Sequence, residues 1–206
     1  MTWLEILQDI GAIANDPDLT SLKSRAEYHF GKAFSDIVMS GEYTQNDVPG
    51  YFKLVTDVNF VTNPYNISNR IVLKIDKIFL DPTADNTSTS KFVSVKPIED
   101  IIQMSSNNHM RPGKQDIFIY RVGDNLHAFT KDGTTTPASA GSRESTINLD
   151  QSGYDNFYMY YVEDFDYSAF EDSLELNSGT QRFLSFSFTR KCIGIAGAAL
   201  IVEDAQ

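Results

Sequence analysis

The sequence predicts an α+β protein in which an N-terminal helix pair and a C-terminal helix pack with a central antiparallel β region. Two observations indicate this class. Apolar residues recur every three or four positions in the first 42 residues and again near the C-terminus, which is the spacing of amphipathic helices. From Tyr51 onwards, apolar residues alternate with polar ones, which is the spacing of half-buried strands.

Two helices are predicted in residues 1–42. A short one carries apolar residues at i, i+4 and i+7 from Trp3 and ends before Pro17. The second has a longer apolar stripe over residues 19–40, an aspartate before its first turn that can act as a cap, and Gly41 after its last turn. This stripe is the clearest secondary-structure signal in the chain.

The β region is predicted at residues 50–128 and 157–163. Pro97 marks the start of a short helix inside it, and residues 122–126 are typical of a hairpin turn. Residues 130–156 are rich in Thr, Ser, Gly, Asp and Asn, so we predict a long polar loop there. All these elements are assigned to one domain, residues 1–206.

The last predicted element, residues 178–203, fits two patterns. Residues 184–189 alternate like a strand, whereas a stripe running to the end of the chain has helical spacing, and we favour the helix. The apolar positions of that stripe are Leu184, Phe188, Cys192, Ile195, Ala199 and Val202. Gly194 and Gly197 would give the helix a small-residue surface suited to close packing against another helix.

Composition excludes several functional classes. The formal net charge is -11, which repels the phosphates of nucleic acids and anionic lipids. The longest apolar run, residues 192–202, is about half of the ~20 residues that span a bilayer. The first residues lack the basic and apolar segments of a secretory leader, and a lone cysteine forms no intramolecular disulfide, so we expect a cytoplasmic setting.

No catalytic apparatus is evident. The carboxylates at residues 163–172 lack the spacing of a calcium loop and are interpreted as a solvated connector. The three histidines are not at metal-ligand spacing, and Cys192 lies in an apolar run where a thiol is inert. We therefore expect no enzyme activity, no cofactor and no metal.

Candidate subunit-interface residues come from three features. These are a small basic cluster, the two glycines of the last helix, and a tyrosine-rich strand, since tyrosine combines an apolar ring with a hydroxyl that tolerates water. The residues are Arg182, Arg190, Lys191, Gly194, Gly197, Tyr158, Tyr160 and Tyr161.

The order of elements resembles the head-to-tail adaptor proteins of short-tailed bacteriophages, the family of the tubular tail ring proteins. The segments that carry the resemblance are residues 4–11, residues 71–78, and Thr180-Gln181-Arg182-Phe183, which would open the last helix. The family's last helix typically carries several small and basic residues in an Arg-Ala-Ala-Arg style. This chain matches that pattern only in part, with Arg190-Lys191 followed by Ala196, Ala198 and Ala199.

This resemblance implies a virion structural protein that connects the portal to the tail. It implies a homo-oligomeric ring, a dodecamer, assembled in the host cytoplasm, with the helices between neighbours and the β region facing the next tail component. An acidic ring would surround DNA during ejection without binding it specifically. No membrane contact and no catalytic residue is implied.

Two other functions remain open from the residues. One is a cytosolic protein- or ligand-binding module that uses the tyrosine-rich strand and the polar loop. The other is a hydrolase that uses Glu163 or Asp166, which would require those carboxylates to converge in a pocket.

Overall fold

The computed structural model describes residues 1–16, 18–58, 64–68, 70–81, 91–106, 117–130, 156–179 and 182–205. The α+β class is confirmed, with helices at both ends of the chain and strands between them. The chain forms two compact units. The helical unit comprises Met1–Lys53 and Val162–Gln206, and the sheet unit comprises Leu54–Tyr161. The strands bury a hydrophobic cluster of their own.

The two N-terminal helices form as predicted. Helix α1 spans Trp3–Ala14 and begins with a capping box, in which the Thr2 hydroxyl and the Glu5 carboxylate each accept the other residue's backbone N–H. Helix α2 spans Leu19–Ser40, and the Asp18 carboxylate accepts the N–H of its first turn. Gly41 ends α2 at φ 78°, a left-handed conformation that glycine adopts without steric cost.

The C-terminal helix, α4, spans Phe186–Asp204 and is shorter than the predicted 178–203. Ser185 is the cap, and residues 182–185 are not helical. Their backbone bonds to other segments instead: the N–H of Phe183 donates to Leu176 O, and the N–H of Ser185 donates to Asp47 O at 2.7 Å. The proposed helix opening at 180–183 is therefore wrong for Arg182 and Phe183, while Thr180 and Gln181 lie outside the described residues.

An aromatic core holds the helical unit together. Phe165 lies at its centre, with ring centroids 5.1 to 5.6 Å from five neighbouring aromatic rings. Those rings belong to Trp3, Phe30, Phe34, Tyr51 and Phe170. Burial of such rings stabilises the unit, since each removes a large hydrophobic area from water.

Helix directions follow from pairs of contacts. Arg190 pairs with Asp9, and Gly197 packs on Ile13, so α4 runs parallel to α1. Phe188 contacts Phe34 at the start of α4, whereas Glu203 near its end pairs with Arg25, so α4 runs antiparallel to α2. The helices therefore bury one side of α4 and leave the other side to solvent.

The sheet unit contains one short helix and a sheet of seven strands in the order β1-β7-β3-β4-β5-β6-β2. The chain passes from the helical unit into the sheet unit within β1 and returns within β7. The strands are β1 (Phe52–Val58), β2 (Tyr65–Asn66), β3 (Val72–Asp81), β4 (Lys91–Val95), β5 (Ile117–Val122), β6 (Asn125–Thr130) and β7 (Asn156–Glu163).

Three of the four described pairings are antiparallel, as predicted, and the fourth is not. Strands β4 and β5 run parallel, because helix α3 (Ile98–Ser106) crosses over between them. The predicted hairpin turn is present: Val122 pairs with Asn125 across Gly123 and Asp124, and Gly123 has φ 56°. Of the predicted loop 130–156, residues 131–155 lie outside the described residues.

No helix within the described ranges has both the length and the apolar character to cross a bilayer.

Candidate functional site

The outer face of α4 is an exposed apolar surface of the helical unit. It consists of Gly194, Ile195, Ala198, Ile201 and Val202, all exposed. Ile195 is 40% exposed, Ile201 is 49% exposed and Val202 is 59% exposed. Successive helical residues turn by about 100°, so these five positions share one side over about 12 Å of axis. We call them the α4 outer face.

The predicted apolar stripe of this helix is only partly buried. Leu184, Phe188 and Cys192 are in the core, but Ile195 and Val202 belong to the outer face. The buried side instead follows Ile193, Ala196 and Leu200, because α1 and α2 pack against that side. Since apolar residues occur on both sides of the second half of α4, the helical stripe in the sequence could not distinguish the buried side from the exposed one.

The charge distribution sets this face apart from its surroundings. The helical unit contains sixteen acidic and seven basic side chains, whereas the sheet unit contains twelve and ten. No charged residue occurs from Cys192 to Val202, although Arg190 and Lys191 precede this run and Glu203 and Asp204 follow it. An uncharged apolar strip is thus framed by cations at one end and anions at the other.

The predicted basic cluster is engaged within the chain. Arg190 lies 3.2 Å from the Asp9 carboxylate and 5.2 Å from the centre of the Phe186 ring. Lys191 forms an ion pair with Glu42, and the Arg182 guanidinium donates to the Leu184 carbonyl at 3.4 Å. About half of the Arg190 and Lys191 side-chain surface stays exposed, so these residues flank the outer face without forming its centre.

The two glycines of α4 have opposite environments. A Cβ placed on Gly194 would meet no atom within 4 Å, so Gly194 lies open on the outer face. Gly197 is buried, and a Cβ there would lie 2.5 Å from Ile13 Cγ2. The predicted close helix contact at Gly197 therefore forms inside the chain, with α1, and Gly197 is not part of a subunit surface.

The tyrosines of β7 are less accessible than the sequence suggests. Tyr161 is 5% exposed and belongs to the hydrophobic core of the sheet unit, together with its neighbour Met159. Tyr158 and Tyr160 are half-buried. Alternation along the strand explains the difference, because successive side chains point to opposite faces of a sheet. Tyr161 is thereby removed from the candidate interface residues.

The acidic connector has structural roles. The Asp166 carboxylate caps the 3-10 turn Tyr167–Ala169 by accepting the N–H of Ser168 at 3.0 Å. Glu163 lies 3.7 Å from Lys53, and Asp172 lies 3.1 Å from Lys23. Within the described part of the chain, no group of three or more His, Cys, Asp or Glu side chains is placed to hold a metal ion.

A charged cluster closes the C-terminal end of α4. The Arg25 guanidinium pairs with both Glu203 and Asp204, and His29 Nε2 lies 2.9 Å from Glu203. Hydrogen bonding to His29, and then to Arg25, holds the pKa of Glu203 below its usual range. The two acids are at the negative end of the helix dipole, which is unfavourable by itself, and the Arg25 guanidinium of α2 offsets that cost.

Comparison with known proteins identifies no family. The sequence matches no protein-family model, and no curated protein matches it significantly.

Proposed function

We propose that this protein is a bacteriophage virion structural protein, a head-to-tail adaptor that forms a ring between the portal and the tail. The observation that supports the proposal best is the α4 outer face, an exposed apolar strip on a strongly acidic helical unit. In this proposal the strip is the main contact between neighbouring subunits of the ring.

The chemistry of the strip suits a protein–protein contact. Burying a large aliphatic side chain contributes about 1.5–3 kcal/mol relative to full exposure, so three half-exposed ones each offer roughly half of that. Gly194 and Ala198 lie between them and allow the backbone of another element to approach closely. Charged residues, which are expensive to desolvate, are confined to the two ends of the strip.

The acidity of the helical unit suits a ring that surrounds DNA. An excess of carboxylates repels phosphates and prevents the genome from adhering while it passes. The proposed partners are further copies of this chain, the portal protein and other tail proteins. The contact with DNA is enclosure without specific binding.

The alternative of a binding module with a tyrosine-rich surface has less support. Tyr161 is buried and Tyr158 and Tyr160 are half-buried, which leaves little tyrosine surface on β7 for a ligand. The hydrolase alternative is weakened as well, because Asp166 caps a turn and Glu163 pairs with Lys53.

Light scattering tests the proposal by measuring the mass of the purified chain alone and mixed with the portal and tail proteins encoded beside it. We expect a large complex of defined stoichiometry in the mixture. Ile201→Asp places a charge in the strip and should abolish the complex. Ile71→Asp is the matched control, since Ile71 is an exposed isoleucine of the sheet unit, at 74% exposure. A persistent monomer in every mixture would contradict the proposal.

A further inference from the structure

A second strip follows the outer side of α2, with three exposed residues and one, Ser35, that is half-buried. Tyr28, Lys32, Ser35 and Met39 recur at i, i+4, i+7 and i+11 and therefore share one face of the helix. Tyr28 and Met39 are each 59% exposed, the same fraction as Val202. We call these four residues the α2 outer strip.

The α2 outer strip and the α4 outer face do not overlap. The buried side of α2 contains Phe30 and Phe34, whose rings contact Phe165 in the aromatic core, and Phe34 also contacts Phe188 of α4. The strip lies about 180° around α2 from this buried side, and the α4 outer face lies about 180° around α4 from its own. One copy of the helical unit thus presents two different surfaces with exposed apolar side chains, on different helices.

Lys32 gives the α2 outer strip its charge. Five of the seven basic side chains of the helical unit form ion pairs with carboxylates: Lys23, Arg25, Lys53, Arg190 and Lys191. Arg182 donates to a carbonyl and acts electrostatically on Asp47. Among the described residues Lys32 forms no ion pair. An unpaired cation in an acidic unit is available to a carboxylate of another molecule.

We propose that the α4 outer face of one copy docks on the α2 outer strip of a second copy, with the two helices antiparallel. This inference rests on the proposed ring function and names the surface that receives α4. Placing Ala198 against Ser35 of the second copy brings Gly194 opposite Met39. Gly194 precedes Ala198 by four residues and Met39 follows Ser35 by four, and the helices run in opposite directions. Met39 then occupies the open space over Gly194.

Charge complementarity selects the same arrangement. Moving three residues the other way places Ile201 opposite Lys32, about one turn before the C-terminal end of α4. Glu203 and Asp204 at that end bond to Arg25 of their own copy and are about half exposed, so they add to the negative potential that Lys32 meets there. A lysine side chain reaches about one helical turn, and α4 also has its negative dipole end there.

The symmetry of this contact matches a ring. Two different surfaces in contact form a heterologous interface, which repeats from copy to copy and closes when the rotation between copies divides a full turn. An α4-to-α4 contact would be two-fold instead and would stop at a dimer. The two arrangements therefore differ in which pairs of positions meet.

Disulfide trapping distinguishes them. We would prepare Ser35→Cys and Ala198→Cys separately, since both substitutions are small and leave the core unchanged. Equimolar mixtures are oxidised in a glutathione buffer, alone and in the assembled complex with the portal protein. The heterologous contact predicts a cross-linked dimer in the mixture, at least about tenfold more than in either variant alone. The double variant should form a ladder of longer covalent chains.

Two controls make the result decisive. The unsubstituted chain shows whether the buried Cys192 contributes, and Ser35→Cys mixed with Ile71→Cys reports random collision. Cross-linking of Ala198→Cys with itself as readily as in the mixture would overturn the proposal in favour of a two-fold contact. An absence of specific cross-links would also overturn it. If the portal complex still forms in that case, the adaptor function stands and only this pair of surfaces is wrong.

Discussion

Ile13 of α1 packs directly against the backbone of Gly197 in α4, so closely that an added Cβ would lie 2.5 Å from Ile13 Cγ2 and 2.7 Å from Ile13 Cβ. The Ile13 Cβ is fixed to its backbone, so a rotamer change does not relieve the overlap. We predict that Gly197→Ala destabilises the protein by about 1–3 kcal/mol, the usual cost of overpacking. Urea denaturation, followed as the shift in midpoint, measures this.

Gly194→Ala is the matched control, because Gly194 is three residues away in the same helix and has open space around it. Alanine is favoured over glycine in helices by about 1 kcal/mol, so this variant should be more stable than the original protein. Equal effects of the two substitutions would contradict the close contact between α1 and α4.

The start of α4 depends on Ser185, which connects the helix to the loop after α2. Its hydroxyl accepts the N–H of Phe188 at 3.2 Å and donates to the Asp47 carboxylate at 2.8 Å. We predict that Ser185→Ala lowers the free energy of unfolding by about 1–2 kcal/mol, as for other lost helix caps. Ser187→Ala should lower it by less, since Ser187 is exposed and its hydroxyl bonds to the Ser185 hydroxyl, at 3.2 Å, and not to a helix N–H. Chemical denaturation of both variants is the measurement.

The sequence predicted where the helices occur better than it predicted their contacts with the rest of the chain. Periodicity located α1 and α2, and Asp18 and Gly41 set the ends of α2, because caps are local signals. The start of α4 was misplaced by eight residues, since the cap at Ser185 depends on Asp47, 138 positions away. Such long-range hydrogen bonds leave no periodic pattern.

Phe165 illustrates the same limit. It lies between Asp164 and Asp166, so the segment has the composition of a solvated connector, yet the phenyl ring is 6% exposed at the centre of the aromatic core. The aspartates on either side are exposed, and each accepts a backbone N–H of the connector. The alternation of acidic and aromatic residues at 164–167 is the signal that identifies a half-buried segment here.

The sequence predicted the residues of the two proposed interaction surfaces only in part. Gly194 was among the predicted interface residues, whereas Ile201, Tyr28 and Met39 were not. Tyr28 and Met39 lie opposite the buried stripe of α2, and that position is visible on a helical wheel. Whether an apolar residue outside the stripe stays exposed depends on the packing of the rest of the chain, which periodicity alone does not report.

Removal of the Phe165 ring should lower the free energy of unfolding by more than Ser185→Ala or Tyr167→Ala does. Phe165→Ala leaves a cavity among five aromatic rings, and we predict a loss of about 3–5 kcal/mol in the free energy of unfolding. Tyr167→Ala is the control, since Tyr167 is 37% exposed at the edge of the same cluster. Thermal denaturation should separate the two variants clearly, and a similar melting temperature for both would contradict the central position of Phe165.

Acid should weaken the connection between the loop after α2 and α4. Hydrogen bonds from Thr44, and further from Ser185, hold the pKa of Asp47 below its usual range. A carboxyl with a lowered folded-state pKa stabilises the fold above its ordinary pKa of about 3.9, and the contribution is lost as pH falls through the lowered value. The stability difference between the original protein and Asp47→Asn should therefore shrink from pH 6 to pH 2.

Thr44→Val provides the intermediate case, because it removes the hydroxyl donor and keeps the carboxylate. Its stability deficit should also shrink on acidification, though by less than that of Asp47→Asn. Equilibrium urea unfolding at a series of pH values tests both. A deficit that stays constant down to pH 2 would show that Asp47 contributes through packing and not through its charge.

Cys192 should be unreactive in the folded protein. It is fully buried in α4, and burial raises the pKa of its thiol to about 12, with nearby Lys191 acting weakly in the other direction. A group whose folded-state pKa is raised stabilises the fold below its unfolded pKa, near 8.5, and that stability is lost as pH rises toward 12. We therefore predict negligible labelling by a thiol reagent at pH 8, rapid labelling in urea, and a fall in the free energy of unfolding above pH 9 that is smaller in Cys192→Ala. Labelling at pH 8 at a rate close to that of the unfolded chain would mean that the α4 core opens readily.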